Sequence, residues 1–474
     1  MSEPRWRRWP WPALLALLLG AQVLALAAPG FAQYDTVAQY QQVLSGEWDD
    51  WHPPAMVALW SLVRHWGPGA APLFFVQFGL YAVGVALWCA ALWAGERRAA
   101  AWLMLLLGFS PLLLGWQLVV LKDAQMLGAL VAASGLVGWH RLRSRRLPFW
   151  AVLIAMLLVG YATLVRSNAV FAAVPLAVLL LPLERWWVRL ALIAGGSLLV
   201  IGITPTINGR IFHAEPTGVA NSLPVYSLAA IADRTPASAV SLFSPEERQV
   251  IAAKHCVKSF FWDSLGEPEM CGGVVERVQD LPTATLYAAL AAAIVRHPLA
   301  YAEHRLSHWN MSERWLVPPG LILATPPDTS EPNEVGLATP GAAAQWFQLG
   351  PARVEAGTPL GWPIVWTLVA LLLLPVVWRG RTAAERLALA LAGSALGLEA
   401  SFLLVSISSD LRYHLWPMFA AALALLLAAP GIRRGQWLGG AAAVLLLVGA
   451  GLASRWSLPR APDSYHSELT SPRA

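Results

Sequence analysis

Two short stretches, Tyr34-Asp35-Thr36-Val37-Ala38-Gln39-Tyr40 and Gly46-Glu47-Trp48-Asp49-Asp50-Trp51-His52-Pro53-Pro54, set Asp35, Asp49, Asp50 and His52 just beyond the first hydrophobic run of the chain. Lys122-Asp123, Arg166-Ser167-Asn168 and Asp410-Leu411-Arg412-Tyr413 stand at the borders of later apolar runs. Carboxylates take protons from hydroxyls and amines, and cations beside a low-dielectric boundary stabilise anions strongly. Two readings follow. Either these groups line one cavity at the outer end of a helix bundle, or each merely marks where a helix leaves the membrane.

The elements that position them follow from composition. The 474 residues are 57% hydrophobic and 13% charged, against about 25% charged in ordinary globular domains. Apolar runs of about 15 to 22 residues, the length that crosses a hydrocarbon core, begin near Trp11, Pro72, Ala99, Ala124, Phe149, Ala169, Leu190, Gly361, Leu387, Tyr413 and Leu438. The expected fold is therefore an all-α polytopic membrane protein of about eleven transmembrane helices with a large external loop. Its parts are an N-terminal membrane module (1–207) with a first external loop (31–71), a large external region (208–358), and C-terminal helices with an external tail (359–474). The net charge of +5 does not point to nucleic acid, because the basic residues form short clusters between apolar runs. Arg5, Arg7 and Arg8, then Arg97 and Arg98, Arg141 to Arg146, Arg185 and Arg189, Arg379 to Arg386, and Arg433 and Arg434 alternate so that the N-terminus is cytoplasmic and the C-terminus external. Many of the 25 tryptophans flank apolar runs, as headgroup-level anchors do. The first run also resembles a secretory signal, with Ala25, Ala27 and Ala28 as small residues; it reads as a retained anchor because many spans follow.

Gly128, Gly135 and Gly138 predict close helix packing in the short fourth run, Ala124 to Trp139. Cys256 and Cys271 lie in the external region, an oxidising compartment on this topology, and are expected to form a disulfide, whereas intramembrane Cys89 packs. Residues 283–295 read as an interfacial helix, and 318–340 as irregular loop or lid. His304 and His308 share a face if helical; with Arg305 they read as headgroup or acceptor contacts ahead of a metal pair, since no third ligand is near. Glu399, inside the ninth run, must face the bundle interior, either paired or lining a lipid cavity.

Tyr34-Asp35 after the first helix, Gly46, and His52-Pro53-Pro54 opening a helix resemble the first external loop of GT-C glycosyltransferases that use polyprenyl-phosphate sugars, in particular the protein O-mannosyltransferase and aminoarabinose transferase branch (glycosyltransferase family 39-like). Lys122-Asp123, Arg166-Ser167-Asn168 and Asp410-Leu411-Arg412-Tyr413 with Pro417 fit the same resemblance, which covers Trp11 to about Pro430. It implies a membrane enzyme that moves a sugar from a polyprenyl-phosphate carrier to a glycan, lipid or protein acceptor of the cell envelope at the outer face; the richness in alanine, arginine and tryptophan points separately to a high-GC bacterial source, and hence to an inner membrane with the active site facing the periplasm. It implies Asp35 as general base, His52, Lys122, Arg166 and Arg412 on the donor phosphate, and Asp49, Asp50, Asp123, Asn168 and Tyr413 toward sugar or acceptor. Many relatives have Asp-Glu where Asp35-Thr36 stands here; Asp49-Asp50 could replace the lost acid, and a divalent metal stays an open expectation without a recognisable ligand set.

A lipid-linked glycan flippase or polymerase-like assembly protein is the competing expectation, and a non-catalytic membrane scaffold the third. A transporter should show charged or broken helices near the midplane and an internal repeat. No Gly-rich nucleotide loop opens a helix in the short cytoplasmic segments, which disfavours a nucleotide-sugar donor.

Overall fold

Within hydrocarbon every backbone N–H and C=O must find its partner inside its own segment, so apolar runs of this length become helices. The computed structural model describes residues 9–236 and 240–471; Arg5, Arg7 and Arg8, the first expected cytoplasmic cluster, lie outside them. The N-terminal part contains α1 (Trp11–Ala27), α2 (Tyr34–Ser45), α3 (Ala55–Val63), α4 (Ala71–Ala94), α5 (Arg98–Gly108), α6 (Pro111–Gln117), α7 (Lys122–Arg141), α8 (Phe149–Val165), α9 (Val170–Leu180) and α10 (Trp186–Thr206). Residues 208–358 form α11 (Ser222–Arg234), α12 (Pro245–Ala253), α13 (Asp263–Gly266), α14 (Gly272–Gln279), α15 (Thr283–Arg296), α16 (Pro298–Glu313), α17 (Ala342–Phe347) and α18 (Arg353–Gly357). The chain closes with α19 (Pro363–Val377), α20 (Ala383–Val405), α21 (Leu415–Ala428), α22 (Arg434–Ser457) and α23 (Tyr465–Thr470). Among the described residues no β-strand forms, only three isolated bridges.

The protein is thus all-helical and carries several apolar helices of membrane-crossing length. Five meet that length and composition: 71–94, 186–211, 383–405, 411–431 and 434–457; the count reaches seven if two bent helix pairs are each one span. Four other apolar helices are shorter, and α7 is 20 residues long but opens with a polar turn. The run expected near Ala99 is not one helix: it breaks between Gly108 and Pro111 and bends by 52°, because Pro111 cannot continue the preceding hydrogen-bond ladder. The fourth run starts earlier than expected, so Lys122 and Asp123 occupy the first turn of α7 rather than the loop before it.

α10 and α22 leave nearly all their apolar surface uncovered by protein, which fits lipid contact. α4 and α7 lie almost backbone to backbone. A Cβ at Gly84 would stand 2.6 Å from the Ala132 nitrogen, and one at Gly135 would stand 3.0 Å from the Gly84 carbonyl. Residues 208–358 have their own core around Tyr226, Leu228, Ile231, Trp262 and Val275, with Cys256 and Cys271 bonded at a Cα separation of 6.2 Å. Cys89 is free and buried. Residues 318–340 contain no helix but are tied down: Glu331 N donates to the Ala32 carbonyl at 2.8 Å, and Ala32 N donates to Ser330 Oγ at 3.1 Å.

Candidate active site

A short extended pairing brings the site together. Phe31 bridges Val119, with Phe31 N on the Leu118 carbonyl at 2.8 Å and Val120 N on the Phe31 carbonyl at 2.9 Å. Gly30 makes this approach possible: its φ is +90°, and a Cβ there would stand 2.8 Å from Val120 and 2.9 Å from Phe74. Gln77 of α4 fixes the other side, its amide donating to the Gln117 and Val119 carbonyls at 3.0 and 2.8 Å and accepting from Leu121 N at 3.2 Å. The consequence is that α2 and α7 begin side by side, which sets Asp35 against Lys122. Thr36 completes the join: its hydroxyl accepts from Gln33 N at 2.9 Å and donates to the Val120 carbonyl at 2.7 Å.

Asp35 Oδ2 lies 3.1 Å from Lys122 Nζ and 3.1 Å from Arg412 Nη2, and its Oδ1 is 3.7 Å from His52 Nε2. Arg412 also contacts Asp410 at 3.0 Å and Asp123 at 3.8 Å, and donates to the Gln33 side-chain oxygen Oε1 at 3.1 Å. Arg166, where α8 ends in extended backbone, reaches Asp123 at 2.7 Å and lies 3.9 Å above the Tyr413 ring. Asp123 is fully buried, and its place in the first turn of α7 is favourable to a negative charge. Asp35, His52, Lys122, Asp123, Arg166, Asp410, Arg412 and Tyr413 therefore form one cluster gathered from five segments of the chain.

Burial alone would push the Asp35 carboxyl up, but Arg412, Lys122 and His52 together outweigh it and hold it well below the usual carboxylate range. His52 goes the other way: burial, reinforced by Lys122, lowers its imidazole to about 3. It is neutral at physiological pH, and its Nδ1 accepts from Lys122 Nζ at 2.6 Å. His52 thus positions Lys122 through its Nδ1 and keeps its Nε2 free of a hydrogen-bond partner among the described residues.

Other expected residues lie apart. Asp50 accepts from the backbone N–H and hydroxyl of Thr217, both at 2.7 Å. Asp49 accepts from Trp51 N at 3.0 Å and bridges Glu215. These two acids tie the first loop to residues 215–217 and pair with none of the cluster's cations among the described residues. Asn168 caps no helix; its Oδ1 is buried without a hydrogen-bond partner two residues past Arg166. His304, Arg305 and His308 do not face headgroups. All three are buried in α16, where Arg305 donates to the Phe402, Leu403 and Ser406 carbonyls and His308 Nδ1 meets the Ser259 carbonyl at 2.8 Å. Glu399 is paired: both its oxygens lie within 2.9 Å of His414 Nδ1, whose Nε2 meets Ser312 Oγ at 3.0 Å. This buried join between α20, α21 and α16 escaped the sequence reading at its His414 and Ser312 ends, since neither spacing nor composition marks them.

The donor chemistry does not fit a divalent metal. Asp35, Asp123 and Asp410 already face Lys122, Arg166 and Arg412, and no group of three or more His, Cys, Asp or Glu arranged to hold a metal occurs among the described residues. Two cavities, of about 260 Å³ beside Arg248 and about 160 Å³ beside Glu355, lie away from the cluster. No family model, curated protein or solved structure matches the chain.

Proposed function

We propose that this protein is a GT-C-type glycosyltransferase of about eleven spans, which moves a sugar from a polyprenyl-phosphate carrier to an acceptor at the periplasmic face of a bacterial inner membrane. The observation that carries the reading is the convergence of Lys122, Arg166 and Arg412 on the single carboxylate region of Asp35 and Asp123 at the border of the apolar bundle. Three cations at that depth are costly to bury without anions. A lipid phosphate brought in from the bilayer would share them with the resident carboxylates.

In the proposed reaction the acceptor oxygen attacks the anomeric carbon, the bond from that carbon to the phosphate oxygen breaks, and the configuration inverts. The acceptor proton passes to Asp35 as general base. The departing phosphate takes the bonding electron pair and is stabilised by Lys122, Arg166 and Arg412. Phosphate is an acidic leaving group, so no general acid is required. Asp35 is a weak base while Lys122 and Arg412 grip it; donor phosphate that draws those cations toward itself raises the basicity of Asp35 when it is needed.

The carrier reading has one supporting observation, the buried Glu399–His414 pair within the bundle. The site at the helix border favours transfer instead, because its charges gather at one rim. The deciding experiment is release of free polyprenyl phosphate from a native lipid extract by the protein in membranes, with candidate acceptors, in wild type and Asp35→Asn. Acceptor-dependent release that the substitution abolishes supports transfer; equal release, or none, in both rejects it.

A further inference from the structure

Residues 208–358 contribute a second carboxyl group close to the charged cluster. Trp262 N donates to the Ile407 carbonyl at 2.9 Å and Phe261 bridges Ser408, so residues 261–263 are joined to the segment that leads into Asp410 and Arg412. From the first loop Trp51, next to His52, brings its ring to 6.2 Å from that of Trp262. Over both lies the C-terminal tail. Tyr465 donates its hydroxyl to Asp263 Oδ2 at 2.8 Å, and its ring is 5.5 Å from Phe261. Ala461 N on the Pro319 carbonyl at 3.0 Å and the Lys258 ammonium on the Ser471 carbonyl hold the tail in place. Trp51 and Tyr465 keep 40% and 41% of their surface exposed, so this wall is open to solvent on one side.

We propose that Trp51, Asp263 and Tyr465 form the acceptor subsite and that the acceptor is a saccharide. This rests on the glycosyl-transfer reading. A sugar ring offers an apolar face to an indole and a rim of hydroxyls to a carboxyl and a phenol; the half-exposed Trp51, backed by the buried Trp262, presents such a face, with Asp263 and Tyr465 beside it. A peptide acceptor bound by strand addition would call for an unpaired strand edge, and no strand occurs among the described residues. Burial, with Asp410, Glu267 and Asp35 nearby, pushes the Asp263 carboxyl up to about 7 despite the Tyr465 hydrogen bond. Near neutral pH it therefore both donates to and accepts from sugar hydroxyls. The same dependence on Asp410 and Asp35 places Asp263 within electrostatic reach of the base, where an acceptor hydroxyl has to arrive.

The test is saturation-transfer NMR of the full-length protein in lipid nanodiscs with a panel of neutral mono- and disaccharides. At least one sugar is expected to give a signal that Trp51→Ala and Asp263→Asn each cut at least five-fold and Tyr465→Phe cuts about two-fold, while Trp456→Ala, a change at an exposed ring on α22, leaves it intact. Tyr465→Phe removes only one oxygen, so it decides the matter should Asp263→Asn fail to fold. No signal with any sugar in wild type, or full signal in both Trp51→Ala and Tyr465→Phe, overturns the subsite. Polyprenyl phosphate release is measured on the same samples. Site-dependent binding without release in wild type rejects the transferase and leaves a saccharide-binding site; release with site-independent binding rejects only the subsite.

Discussion

Asp35→Asn should slow transfer yet tighten donor binding, and the opposite signs come from the geometry. Asp35 stands 3.1 Å from both Lys122 and Arg412 with its side chain 13% exposed. At an effective dielectric constant of about 20, each such pair is worth about 5 kcal/mol of gross attraction. A donor phosphate has to share those two cations with the carboxylate. Asparagine keeps the shape and removes the competing charge. Most of the gross attraction is offset by desolvation, and if about 1–2 kcal/mol survives in the donor complex, binding tightens about 5- to 30-fold. Loss of the base costs about 10²- to 10⁴-fold in rate. The assay pairs equilibrium binding of a purified polyprenyl-phosphate sugar with single-turnover release in nanodiscs. Weaker donor binding by Asp35→Asn would refute the competition between carboxylate and phosphate, and a rate within about ten-fold of wild type would refute Asp35 as base.

Arg166→Gln leaves buried Asp123 with only Arg412, at 3.8 Å, and should cost about 3–5 kcal/mol of stability; thermal melting in nanodiscs checks it, and adding Asp123→Asn should recover much of the loss. His414→Phe should destabilise by about 1–3 kcal/mol, by leaving the buried Glu399 carboxyl without its hydrogen-bond partner, whereas Glu399→Leu with His414→Phe should melt closer to wild type. Asp49→Ala should lower the transfer rate by no more than about ten-fold, because the hydrogen bond it removes holds the Trp51 backbone and not the charged cluster, and a loss of about 10²-fold or more would return Asp49 to the chemistry. The Asp263 carboxyl binds its proton more tightly folded, near 7, than in an unfolded chain, near 3.9. Its contribution to stability is therefore complete at low pH and lost as pH rises toward 7. Melting between about pH 5 and 7.5 should show that fall in wild type and a shallower one in Asp263→Asn. Asp35, held low in the folded protein, has the reverse sign and loses its contribution only on acidification.

Apolar run length and the short motifs revealed helicity and most of the charged cluster, because both are local signals. Asp35, Lys122, Asp123, Arg166 and Arg412 each sit at the border of an apolar run, and in a bundle such borders have few places to go. What sequence could not reveal is pairing at a distance. Asp49 and Asp50 carry the same chemistry as Asp35, yet the turn after Gly46 directs them to Thr217 and Glu215. His52 carries the expected type, but its burial next to Lys122 takes its charge away. Thr36 looked like a lost acid and instead fastens α2 to the segment before α7. Gln77, in the middle of the apolar face of α4, had no spacing that marked it, although a lone amide in such a helix is a signal for a buried backbone partner.

The cluster's charge bears on why its parts occur in these numbers. Asp35, Asp123 and Asp410 face Lys122, Arg166 and Arg412 one for one, and His52 is neutral. The resting site thus carries no net charge at a border where uncompensated charge is expensive. A glycosyl phosphate linked to a lipid enters with one negative charge. In the proposed step the acceptor proton neutralises Asp35 while the departing phosphate gains a second negative charge, so the total inside the cluster does not change during the chemistry. The rearrangement is internal: Lys122 and Arg412 exchange one anion for another a few ångströms away, with no charge drawn from or expelled to solvent. Replacing either cation by a neutral residue would leave the cluster one charge negative and the donor phosphate short of a partner, whereas Asp35→Asn leaves it one charge positive, which favours the incoming phosphate but removes the place where the proton must land. That asymmetry is why the Asp35 substitution separates donor binding from transfer.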